Sequence, residues 1–159
     1  MKDTDMEQTV RSVIRRMTAS SVMNLAFARN LIREVEKKAQ EMGVKAVVAV
    51  SDAAGRPVAI ECMDGAYIGS FDVALNKTFT SVAFQMSTAE LGKLAPPGGS
   101  LYGIQNTNVG KIVIFGGGEP LYVDDVLIGA IGVSGGTAEQ DTALGAYGKN
   151  IAKEVISWK

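Results

Sequence analysis

The way the extended segments are joined limits this chain's fold more than anything else in it. Residues 44–50 (VKAVVAV) and 58–63 (VAIECM) read as strands, and only Asp52-Ala53-Ala54-Gly55-Arg56-Pro57 turns one into the other. A link that short cannot make a parallel crossover, so the two are antiparallel neighbours. The pattern recurs later. Residues 111–115, 120–123 and 126–133 read as strands, separated by Gly116-Gly117-Gly118 and by Asp124-Asp125. This predicts a mostly antiparallel sheet of about five strands. Gly129 and Gly132 fall inside the last strand, where glycine marks a bulge or a close approach.

Helical patterns flank both strand groups. In residues 21–42, Ala28, Leu31, Ile32, Val35, Ala39 and Met42 make one apolar face, and Gly43 suits a left-handed cap. Residues 69–85 read as a second long helix. Ser87-Thr88-Ala89-Glu90 and Thr137-Ala138-Glu139-Gln140 have the capping-box pattern that opens a helix, the latter running to about residue 156. Helices before, between and after the strands can cover both sheet faces, which makes an α+β sandwich. The expected division is a helical extension over residues 1–20 and one domain over 21–159. In the extension Met6, Val10, Val13, Ile14 and Met17 recur at helical spacing. That stripe reads as packing on its own domain or across a homo-oligomer, in preference to a docking arm for a partner or membrane. Met23, Met42 and Met86 join Met6 and Met17 in or beside helices, as core or interface residues.

Charge and composition remove several functions. Net charge is −1, without a basic stripe, which argues against nucleic acid as a partner. No apolar run is long enough for a membrane span, and no signal peptide is visible, so a cytoplasmic protein is expected. The single cysteine, Cys62, excludes an internal disulfide and is expected to be buried and inert. The chain has no histidine. Gly132-Val133-Ser134-Gly135-Gly136 matches the G-x-S-x-G serine elbow, but Ser134 then lacks its usual base. Structural zinc is excluded with the histidines.

Other candidates remain. The backbone at Gly135, Gly136 and Thr137 leads from a strand into a helix start, where free N–H groups can hold an anion. The competing expectation is that Thr137 and Gln140 satisfy those groups themselves. Asp141 lies in the first helical turn, where the dipole favours acids. Lys77 stands on a mostly apolar helix and is expected to snorkel to water, or else to meet a ligand carboxylate.

The run from residue 110 to 141, GKIVIFGGGEPLYVDDVLIGAIGVSGGTAEQD, resembles the GlcG/HbpS family, which includes the C-terminal domain of PduO-type proteins. Gly117-Gly118-Glu119-Pro120 and the following GAIGVSGGT-x-x-QD are its hallmark. Ser51-Asp52-Ala53-Ala54-Gly55, Met63-Asp64-Gly65-Ala66 and Ala74-Leu75-Asn76-Lys77-Thr78-Phe79-Thr80 resemble further family motifs, with Cys62 where the family has arginine. The resemblance covers residues 22–156. It implies a profilin-like α/β/α sandwich, homo-oligomers, and a ligand-binding or accessory role. Haem or a corrinoid is the implied tetrapyrrole, and a small anionic metabolite is the other ligand class. Histidine ligation of haem, found in some members, cannot carry over. The ligand-binding candidates are Lys77, Gly117, Gly118, Ser134, Gly135, Gly136, Thr137 and Asp141. The alternatives are an oligomeric scaffold of a diol, glycerol or glycolate utilisation system, and an enzyme using Lys77 and Asp141 in proton transfer. No metal ligand and no catalytic residue is nominated.

Overall fold

The computed structural model describes residues 2–20 and 23–157. In chain order the elements are α1 (Lys2–Ser20), α2 (Leu25–Glu41), β1 (Val47–Asp52), β2 (Pro57–Cys62), α3 (Ser70–Phe84), α4 (Thr88–Leu94), β3 (Gly118–Val123), β4 (Val126–Ser134) and α5 (Ala138–Ser157). The strands form one sheet in the order β2-β1-β4-β3, and every neighbouring pair is antiparallel. Each strand group stays a hairpin because its turn is short. The Asp124-Asp125 turn has positive φ at both positions, as a type I′ hairpin turn needs.

Both faces of the sheet are covered, and strand periodicity decides which side chain goes where. Val48 and Val50 of β1 join Phe27, Leu31, Ile32 and Val35 of α2 and Leu144 of α5 in the larger core. Val47 and Ala49 point the other way, against Ala74 of α3. A strand buried on both sides reads as an unbroken apolar run, as β1 does. Asn24 caps α2 by accepting from the Phe27 N–H at 2.9 Å, and Gly43 follows the helix at φ +69.

One expected strand is missing, so the sheet has four strands rather than five. Residues 111–115 carry no ladder. Ile112 and Val113 are buried, but the Val113 N–H donates to Thr80 Oγ1 at 3.0 Å instead of to a strand. The apolar run serves burial against α3, whose threonine satisfies the backbone that a ladder would have satisfied.

The glycines of β4 set how closely its neighbours approach. A Cβ on Gly132 would run into the Ala74 carbonyl, so α3 lies backbone-close on the sheet. The β3–β4 register shifts between Leu121 and Tyr122, which face Gly129 and Leu127. Gly129 thus sits at the bulge its position suggested. The first helix runs over Lys2–Ser20, and its apolar stripe is exposed on the single chain: Met6 is 68% accessible and Val10 50%. Cys62, at the end of β2, is exposed as well.

Candidate functional site

The hallmark residues meet where α3, the end of β4 and the start of α5 come together. The helical spacing of α3 places Ala74, Lys77, Thr78 and Ser81 on its buried face. Lys77 does not snorkel; it is 0% exposed and Asp141 only 3%. Lys77 Nζ donates to the Val133 carbonyl at 2.6 Å and to Asp141 Oδ2 at 3.0 Å. The Phe115 ring covers the ammonium, its centroid 5.0 Å away. Burial pushes the Lys77 pKa below its ordinary value, and the nearby Asp141 carboxylate opposes that shift. The other oxygen of Asp141 accepts from the Gly136 N–H at 2.9 Å. One lysine and one carboxylate therefore tie three elements together.

The glycine turn before β3 closes against this pair. The Gly117 carbonyl accepts from the Val133 N–H at 2.9 Å. Gly117 has φ +114, and a Cβ there would stand 2.5 Å from the Val133 oxygen and 2.7 Å from Lys77 Nζ. Only glycine fits beside the ammonium. Gly118 donates its N–H to Thr88 Oγ1 at 2.9 Å, which anchors α4.

The remaining candidates lie at the strand-to-helix turn. Ser134 is buried and donates to Ser70 Oγ at 3.2 Å. Its hydroxyl thus joins the end of β4 to the start of α3. Thr137 and Gln140 complete their capping box: the Thr137 N–H donates to Gln140 Oε1 at 2.9 Å, and the Gln140 N–H to Thr137 Oγ1 at 3.2 Å. The amides of Gly136, Thr137 and Gln140 are thus engaged within the chain. On the outer side of the turn, Gly135, Gly136 and Gln140 line an open cleft of about 240 Å³ with Gly43, Val44, Lys45, Gly65 and Tyr67. The candidates therefore divide into a buried group (Lys77, Gly117, Gly118, Ser134, Asp141) and a rim (Gly135, Gly136, Thr137).

Sequence reasoning missed Phe115, Thr88, Ser70, Lys45 and Tyr67. Thr88 could have been found as the first residue after the Ser87 cap. Lys45 and Tyr67 carry no signal, because the pairing of β1 with β4 brings Lys45 to the turn and the loop from β2 to α3 brings Tyr67, both from distant parts of the chain. Among the described residues no group of three His, Cys, Asp or Glu could hold a metal ion. No described helix is long and apolar enough to cross a membrane.

An antiparallel sheet covered by helices on both faces, with a double-glycine turn packed on a buried lysine–aspartate pair, defines a class of small α+β sandwiches. The model of one family, described as "haem degrading protein HbpS-like", matches residues 23–149, and the chain belongs to that family. It is 44% identical over 124 residues to an uncharacterised 15.0 kDa protein of the dhaT-dhaS intergenic region of Citrobacter freundii, covering 78% of this chain and 87% of that protein. Among solved structures, Klebsiella pneumoniae protein ORFY aligns with a TM-score of 0.80 at 41% identity, over 82% of this chain and 90% of that one. The PduO C-terminal domain in its haem complex aligns with a TM-score of 0.74 at 37% identity, over 77% of this chain and 88% of that one.

Proposed function

We propose that the chain is a non-catalytic, ligand-binding accessory protein whose ligand is a tetrapyrrole. The observation that carries this reading is the likeness to the PduO C-terminal domain, whose structure is a haem complex. The chemistry of this chain narrows the mode of binding. A histidine-ligated haem does not fit, since the chain contains no imidazole. Lys77 is not a substitute ligand, because its ammonium is already held by Val133 and Asp141. The same engagement argues against Lys77 and Asp141 as an acid–base pair, since neither lines the cleft described above. In this reading the ligand lies against the rim of the hallmark turn. The cleft there, at about 240 Å³, is smaller than the roughly 300–1,000 Å³ of enclosed ligand pockets, so it takes an edge of the macrocycle rather than the whole. Lys45 supplies the cation for a carboxylate at that edge, and the exposed Tyr67 supplies a hydroxyl and a ring face.

A second reading, a small anionic metabolite in the same cleft, is favoured by its size and by Lys45 on its wall. Spectral titration separates the two. Haemin or cobalamin added to micromolar protein shifts the Soret or corrin band if a tetrapyrrole binds, and Lys45→Glu weakens that shift. Absence of both shifts overturns the tetrapyrrole reading. Calorimetric binding of a small carboxylate without either shift selects the second.

A further inference from the structure

We propose that α1 pairs with the α1 of a second copy of this chain, in antiparallel orientation. The first reason is the surface itself. The stripe of Met6, Val10, Val13 and Ile14 is exposed, four large apolar side chains on one helix, whereas α2, α3 and α4 each expose a single one, Leu25, Phe71 and Leu94. Exposed aliphatic side chains at this density on one helix face need a cover. The second reason is spacing. Met6, Val10, Val13 and Met17 follow one another at intervals of four, three and four, the seam of a two-stranded coiled coil. At 19 residues the helix is about 28 Å long, enough for more than two heptads. The helix precedes the family-matched residues 23–149, so the family fold does not itself require it.

Charge selects both the occupant and its direction. The first half of α1 carries Asp3, Asp5 and Glu7 against the single Lys2, whereas the second half carries Arg11, Arg15 and Arg16 and no acid. Two parallel copies would set the arginine halves side by side. Two antiparallel copies set each acidic half against an arginine half, so the helix is electrostatically complementary to itself when reversed. The matching register places Val10 opposite Val13 of the second copy, and Met6 opposite Met17. The acids at one end of the polar face also disfavour an anionic membrane surface as the cover.

Directed cross-linking of the full chain tests this. In a Cys62→Ser background, one chain carries Met6→Cys and another Met17→Cys. The two are mixed and mildly oxidised. Antiparallel pairing gives the mixed disulfide in clear excess over either homodisulfide. Homodisulfides alone overturn the orientation, and no disulfide above that of a cysteine placed on the polar face overturns self-pairing in favour of a different partner. Val10→Glu with Val13→Glu abolishes the mixed product while the far-UV circular dichroism of the sandwich is retained. Persistence of the product in that variant overturns the seam. Arg11→Glu, Arg15→Glu and Arg16→Glu in the Met17→Cys chain lower its yield. Asp3→Lys, Asp5→Lys and Glu7→Lys in the Met6→Cys chain restore it, and failure of that rescue overturns charge selection.

Discussion

Lys77 shows what a single residue contributes here. A lysine taken wholly out of water carries a desolvation cost, which its two acceptors and the Phe115 ring offset. Removing one partner leaves the other as an uncompensated buried charge. Lys77→Met is therefore expected to destabilise the fold by about 3–5 kcal/mol, measured by urea unfolding. Asp141→Asn in that background should recover part of the loss, since the stranded carboxylate is gone and the amide oxygen can still accept from Gly136. Additivity of the two changes to within about 0.5 kcal/mol would show that the pair is not coupled. A second residue-scale expectation concerns Gly132, where Gly132→Ala forces α3 off the sheet and should cost about 1–3 kcal/mol by overpacking. A melting temperature equal to that of the parent chain would refute it. Gly132 was legible in the sequence as a close approach. The role of Lys77 was not, because its partners lie 56 and 64 residues away in the chain, and helical periodicity cannot tell a snorkelling lysine from a buried one.

At the scale of the elements, local chemistry was the most readable. The boxes at Ser87–Glu90 and Thr137–Gln140 both form, because each closes between residues three apart and needs no tertiary partner. Residues 111–115 went the other way. Their apolar content is that of a strand, but Thr80 on α3 takes the hydrogen bond of Val113, which only the packed structure reveals. The Ser87 box also makes α4 sensitive to acid. The Glu90 pKa is held below its ordinary value, first by the Ser87 N–H and then by the Ser87 hydroxyl. A carboxyl whose folded pKa is depressed adds stability above the unfolded value of 4.5, and that stability is lost as pH falls through the folded value. Glu90→Gln should thus cost a few tenths to about 1 kcal/mol at pH 7, given the exposure of the site. The cost should shrink as the pH is lowered from 7 towards 3. Unfolding of both proteins at the two pH values checks this, and an equal difference at both would mean that the charge of Glu90 is irrelevant to the box.

For the whole molecule, the distinction that matters is between what holds the sandwich and what lies outside it. The larger core includes residues of α2, the sheet and α5, with Met23 packed against it, and among the described residues it includes none of α1. The sequence could not separate these roles. An apolar stripe has the same spacing whether it meets its own sheet or another copy, so only the exposure of Met6 and Val10 decides. A chain that begins at residue 23 keeps Met23, whose terminal methyl lies beside Gly129 at the bulge, and loses a helix that approaches β4 but whose described side chains are exposed. Loss of exposed surface away from the core changes stability by about 0.5 kcal/mol, and each kcal/mol is worth roughly 2–4 °C in a domain of this size. The truncated chain should therefore melt within about 3 °C of the full one in a calorimetric scan. Any Soret or corrin shift that the full chain gives should persist in it, because the hallmark turn, Lys45 and Tyr67 are untouched. A fall in melting temperature of more than about 10 °C would place α1 inside the folding unit, contrary to the exposure of its stripe. An unchanged melting temperature with a smaller particle in sedimentation would assign α1 to contacts between copies, where its charge pattern puts it.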